Sequence, residues 1–206
     1  MHYLFTVRVG SKDINCRAFT LREYKDLLEA HLNDELERVV LDILDNCSDA
    51  KDLSKHEAEL LLIKIWAHSL GEVNHEHDYT CSCGKTFKVP MNFMHAAVTG
   101  ESDLIYPLAN FKLKLKYPKI FEDKNTAQMV ACCIDYIIVD GTQIKVEDLS
   151  EVEINDLYSA ITVEDITKIA ALLLKPTIEM GIPISCECGE SSVHVIRGFK
   201  EFFKLL

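Results

Sequence analysis

The sequence predicts an α+β fold of helices joined to short antiparallel hairpins, and three observations carry that prediction. A hydroxyl residue followed three positions later by a carboxylate, then by apolar residues at helical spacing, recurs at Thr20/Glu23, Ser54/Glu57, Ser150/Glu153 and Thr162/Asp165. In this pattern the hydroxyl and the carboxylate satisfy the orphan amides of a helix start. Two tetrapeptides of one design, Cys81-Ser82-Cys83-Gly84 and Cys186-Glu187-Cys188-Gly189, each precede a run that alternates as a strand does. Turn pairs such as Asp140-Gly141 close short connections, which favour antiparallel pairing.

Taken in order, Tyr3 to Val9 and Ile14 to Ala18 read as an opening hairpin around Gly10-Ser11-Lys12-Asp13. A helix starts at Thr20 with Leu21, Tyr24, Leu27 and Leu28 at helical spacing, a second covers Glu35 to Leu44, and a third, largely apolar, runs from Ser54 to Gly71. The first cysteine hairpin returns through Thr86 to Val89, and a small and polar stretch, Thr99 to Asp103, reads as a linker. Beyond it, Leu104 to Leu108 and Phe111 to Tyr117 read as strands, Thr126 to Ile138 as an apolar helix, and Gln143 to Val146 as a short strand. Helices from Ser150 to Ile161 and from Thr162 to Lys175 follow, the last stopped by Pro176. Val193 to Ile196 and an amphipathic segment from Phe199 to Leu206 complete the reading. The repeated order of helix, CxCG, strand and aromatic segment, with Phe93-Met94 in one copy and Phe199, Phe202, Phe203 in the other, suggests a single unit over 1–206 with pseudo-repeat halves 1–100 and 101–206.

With 206 residues, 48% of them hydrophobic, the chain has ample material for a core. No apolar run approaches the roughly twenty residues that span a bilayer. A net charge of −11 argues against nucleic acid, because a phosphate backbone is bound through a basic face that displaces counterions. The lysines of Phe111 to Lys119 alternate with apolar residues and describe a strand with one wet face. Met1 to Gly10 lacks a basic start and a long apolar core, so the expected compartment is reducing and a disulfide framework is the weaker reading.

Two thiols one residue apart, closed by a glycine free to adopt positive φ, resemble a metal knuckle. Cys81, Cys83, Cys186 and Cys188 together would make a closed four-sulfur zinc site, a zinc-ribbon-like pairing of knuckles; four free thiols in two hairpins is the alternative. The commonest zinc knuckle has two residues between its cysteines, and this chain has one. His75 and His77 are reserve ligands in a stretch that reads as loop, and Cys16, Cys47, Cys132 and Cys133 read as small buried apolar residues. His56 and His68, near Glu57, Glu59 and Glu72, show no spacing that converges on a substrate, and no nucleotide-binding, nucleophile-elbow or metalloprotease motif occurs. Phe199, Phe202, Phe203 and Leu206 fall on one helical stripe, which either closes the core or meets a partner.

The order of Phe19-Thr20-Leu21-Arg22-Glu23-Tyr24, Asp52-Leu53, Ala67-His68-Ser69-Leu70-Gly71-Glu72, the Cys-Gly hairpin, Lys116-Tyr117-Pro118 and the closing Cys-Gly hairpin with Gly198-Phe199-Lys200-Glu201-Phe202-Phe203 resembles the baseplate hub assembly protein family of T4-like tailed bacteriophages. The resemblance spans nearly the whole chain and rests on the order of the pieces; the pattern associated with the family has two residues inside each cysteine pair. It implies a non-enzymatic hub component or assembly factor of a contractile tail, with other baseplate hub proteins as partners, located in the host cytoplasm during assembly or in the tail baseplate. A zinc-dependent enzyme with one position open to water, and a zinc-ribbon adaptor bound to a transcription complex, stand as alternatives.

Overall fold

The computed structural model describes residues 3–33, 35–70 and 74–204. The chain divides into two compact units, residues 1–99 with 177–206, and residues 100–176.

Unit 1 is organised by a helix that is buried nearly all round. It opens with the hairpin β1 (Leu4–Val9) and β2 (Lys12–Arg17), paired in antiparallel register from Leu4↔Arg17 to Val9↔Lys12. Helices α1 (Leu21–Leu32), α2 (Leu36–Cys47) and α3 (Lys55–Ser69) follow. Ten of the 15 residues of α3 are buried, so it cannot lie against one neighbour and show a polar back to solvent. It is enclosed by β1, β2, α2, the 3-10 turn Phe93–His95, β5 (Ala97–Thr99) and β10 (Thr177–Ser185). Strands β3 (Asn74–Thr80) and β4 (Thr86–Asn92) form one hairpin. Strand β11 (Ser191–Arg197) pairs with β10, which pairs on its other side with β5. The short helix α7 (Phe199–Phe203) closes the unit.

Unit 2 enters and leaves at directly paired residues, since Thr99 lies opposite Thr177 in the β5/β10 register. At this crossing Gly100 has φ +83, and a Cβ there would lie 2.8 Å from the carbonyl oxygen of Lys175. Only glycine tolerates both the backbone angle and the approach. The unit is a four-stranded antiparallel sheet ordered β6 (Ile105–Pro107), β7 (Lys112–Leu115), β8 (Ile134–Val139), β9 (Thr142–Lys145). One face carries Leu113, Leu115, Ile134 and Ile137 into a core with α4 (Thr126–Cys132), α5 (Glu151–Ala160) and α6 (Val163–Leu173). The Tyr106 hydroxyl donates to Asp165 at 2.8 Å, tying β6 to the start of α6.

All four capping boxes form, at Thr20, Ser54, Ser150 and Thr162. The helix expected from Thr126 to Ile138 is a correction: it stops at Cys132, and Ile134–Val139 is strand β8. The β-branched run Ile137-Ile138-Val139 abuts Asp140-Gly141, both at positive φ, which builds the tight β8/β9 turn and pulls the run into the sheet. Of the cysteines expected to be buried outside the CxCG motifs, Cys16, Cys47 and Cys133 are buried and Cys132 is exposed.

Two expectations follow. Glu23 caps α1 through Thr20 and forms a two-pronged pair with Arg17 of β2 at 2.6 and 3.0 Å. The Arg17 guanidinium, helped by Thr20, holds the Glu23 carboxyl from its ordinary 4.5 down to about 2. Because the folded value is depressed, this stabilisation is present above pH 4.5 and is lost as pH falls toward 2. Glu23→Gln should cost roughly 2 kcal/mol at neutral pH and flatten acid unfolding in that window, read by urea denaturation across pH. Joining Thr99 to Thr177 through a two-residue Asn-Gly turn should leave unit 1 folded by circular dichroism, because paired antiparallel residues lie only about 5 Å apart. An unfolded product would instead support one cooperative α+β unit over all 206 residues.

Candidate metal centre

Each CxCG motif sits at the tip of a hairpin, β3/β4 for the first and β10/β11 for the second. The two turns are built alike. The Cys81 N–H donates to the Lys85 carbonyl and its carbonyl accepts from Gly84, both at 2.9 Å; Cys186 does the same with Glu190 and Gly189, again at 2.9 Å. Gly84 has φ +86 and Gly189 φ +93, with open space around each, so glycine is required by the turn angle and not by crowding.

The two tips meet and bring together the four sulfurs of Cys81, Cys83, Cys186 and Cys188, all within 4.8 Å of one another. Cys81 to Cys188 and Cys83 to Cys186 are each 3.7 Å. Tetrahedral ligation at a metal–sulfur distance of about 2.3 Å places sulfurs about 3.8 Å apart, so the cluster suits a metal ion. None of the eight cysteines is in a disulfide. Cys81 and Cys186 are buried, whereas Cys83 and Cys188 face solvent.

The knuckles are also joined reciprocally. Lys85, the residue after the first glycine, reaches Glu187, the middle residue of the second motif, at 2.8 Å. Glu190, the residue after the second glycine, accepts a short hydrogen bond from Ser82, the middle residue of the first. Glu190 also accepts from the Cys81 thiol at 3.1 Å. Among the thiols, the backbone N–H of Cys188 holds Cys186 down to about 7. The Cys83 N–H likewise lowers Cys81, but the Glu190 carboxylate, burial and the neighbouring sulfurs outweigh it and push that thiol up to about 12. The cross-links were not read from the sequence, although their signal was there: opposite charges, Lys85 and Glu190, at the same position of two matching motifs.

The other sequence candidates are placed elsewhere. His75 and His77 lie in strand β3 and not in a loop; their side chains fall outside the described set. His56 is buried beside Ser54 at the start of α3, and His68 stacks on Phe5 at 4.1 Å, so the two are not assembled around a common point; Glu72 lies outside the described residues. Phe202 and Phe203 are 0% and 3% exposed. Phe202 packs on Phe93 at 5.8 Å, and Phe203 on Trp66 at 6.3 Å and His31 at 6.0 Å. Phe199 is half-buried against Phe203, and Leu206 lies outside the described residues.

The chain matches the family model described as T4 bacteriophage base plate protein over residues 1–204. It is similar to the baseplate hub assembly protein gp26 of Enterobacteria phage T4, 53% identical over 205 residues, covering 99% of each chain. No solved structure matches it significantly.

Truncation at the buried end of the stripe gives a direct check. Phe202→Ala should destabilise the protein by about 3–5 kcal/mol, measured by chemical denaturation, because it empties space between Phe93 and the rest of the core.

Proposed function

Because the chain belongs to the T4 bacteriophage base plate protein family, we propose that it serves, without catalysis, in building the baseplate hub of a contractile phage tail through protein–protein contacts. The observation that carries this reading is identity of 53% sustained across 99% of both chains, so the similarity is to the whole relative and not to one segment of it. Its partners in this reading are other baseplate hub proteins. It acts in the host cytoplasm during assembly or in the tail baseplate. The part of Phe199 left uncovered on α7 is the proposed contact, since Phe202 and Phe203 are occupied in the core.

The cysteine cluster is proposed to hold one zinc ion, with Cys81, Cys83, Cys186 and Cys188 as ligands in a zinc-ribbon-like pairing of knuckles. Zinc would supply a structural cross-link between residues about a hundred positions apart, and four thiolates would complete its tetrahedron. A catalytic zinc keeps a position for water, so a full set of sulfurs favours the structural role over a zinc-dependent enzyme.

Protein purified without chelator should contain about one zinc per chain, and cobalt substitution should give the visible absorption of tetrahedral thiolate ligation. Cys83→Ser, at a solvent-facing sulfur, should lower both metal content and melting temperature; a metal-free protein of unchanged stability would reject zinc. Function is tested separately by disrupting the reading frame in the phage that carries it. Tails should then lack hubs, and supply of the protein in trans should restore them. Phe199→Ser should reduce co-purification of hub proteins by more than its loss of folded protein.

A further inference from the structure

The outer face of the unit 2 sheet is chemically unlike the rest of this acidic chain. The register aligns Ile105, Lys114, Tyr136 and Lys145 in one cross-strand row and Pro107, Lys112, Ile138 and Gln143 in the next. Alternation along the strands turns these residues away from the core that holds Leu113, Leu115 and Ile137. The two rows contain three lysines and no carboxylate. Lys114 meets Asp103 at 3.7 Å and Lys145 meets Glu147 at 2.8 Å, both at exposed positions, and Lys112 has no ion pair among the described residues. Lys116 follows on the same side of β7 and, with Tyr136, Lys145, Ile154 and the carboxylates Asp135 and Glu147, lines a groove of about 440 Å³.

The same unit carries a surface of opposite character. Residues 147–165 include no lysine, arginine or histidine. Glu151 and Asp156 are exposed there, as is Glu164, which pairs with Lys168 at 2.7 Å, around Val152 and Val163, which are 69% and 80% exposed. Val152 and Asp156 are four apart on α5 and share a helix face. One surface thus offers cations around Ile105, Pro107 and Tyr136, and the other carboxylates around two valines. Phosphate is a poorer match for the lysines, because no arginine accompanies them and a chain of net charge −11 repels a polyanion.

We propose that the lysine-bearing sheet face of unit 2 docks the acidic face formed by α5 and the start of α6 of a second copy of this chain. Two different surfaces meet in such a contact, so it is heterologous and propagates into a ring or an open stack. Overall negative charge opposes association at long range, but at physiological salt the Debye length is about 8 Å and the facing patches dominate. The complementary charges then fix orientation and register.

Sedimentation velocity of the full-length protein across a wide concentration range at physiological salt tests this. The wild type should show association that strengthens with concentration and is lost in high salt. Lys112→Glu/Lys114→Glu should weaken it at least about tenfold, and Glu151→Lys/Asp156→Lys should do the same, with each variant still folded by circular dichroism at the temperature of the experiment. An equimolar mixture of the two double variants should associate again, because each then presents a complement the other lacks. If a reversed variant fails to fold, the neutral pair Lys112→Gln/Lys114→Gln takes its place and should still weaken association. A wild type that stays monomeric at every concentration, association untouched by either variant, or a monomer that instead binds an oligonucleotide through these lysines, would each overturn the proposal.

Discussion

A helix buried nearly all round cannot sit at a surface, and α3 imposes that condition on everything around it. With Leu61, Ile63, Ile65 and Trp66 all at 1% exposure or less, its circumference has to be covered by several elements at once. The first 99 residues provide the opening hairpin, α2, the Phe93 turn and β5; the remaining cover comes from β10, and α7 seats Phe203 against Trp66. Burial of one helix therefore explains why unit 1 is discontinuous in sequence. It also explains why residues 100–176 leave and return at neighbouring strand ends, the arrangement that interrupts the wall around α3 least.

The paired knuckles answer the same problem by different physics. Hydrophobic burial is non-directional and holds β10 and α7 near α3, whereas the knuckles fix orientation. Each presents its first cysteine inward and its second outward, and each sends the residue after its glycine to the middle residue of the other. The exposed Lys85–Glu187 pair contributes little stability by itself. Together with the Ser82–Glu190 bond it holds the two tips against each other, where their four sulfurs converge.

Local signals survived the passage from sequence to structure where local chemistry determines the outcome. All four capping boxes and the Asp140-Gly141 turn could be read directly, since each is complete within a few residues. The segment Thr126 to Ile138 is ambiguous because its apolar residues, interrupted only by Gln128 and Asp135, fit both periods, and only the sheet partner of Ile134–Val139 separates helix from strand. The four cysteines were legible as two matched turns, but their convergence depends on how the hairpins pack. Burial of Phe202 and Phe203 was not legible from an amphipathic stripe, which looks the same whether it covers its own core or another protein; Phe93 and Trp66 decide it. Alternation marks the lysines of β7 as a wet strand face, and only the registers of β6, β8 and β9 reveal that they gather with Tyr136 and Lys145.

The discontinuity of unit 1 has a consequence for the order of events on the ribosome. Residues 100–176 have their own core and can condense as they emerge, but α3 remains partly uncovered until β10 and α7 have been made. A chain interrupted by a premature stop anywhere in residues 100–176 would expose Trp66 and Phe93 and strand Cys81 and Cys83 without their counterparts. Such fragments are natural prey for chaperones and proteases. Unit 1 therefore cannot be completed by a truncated copy.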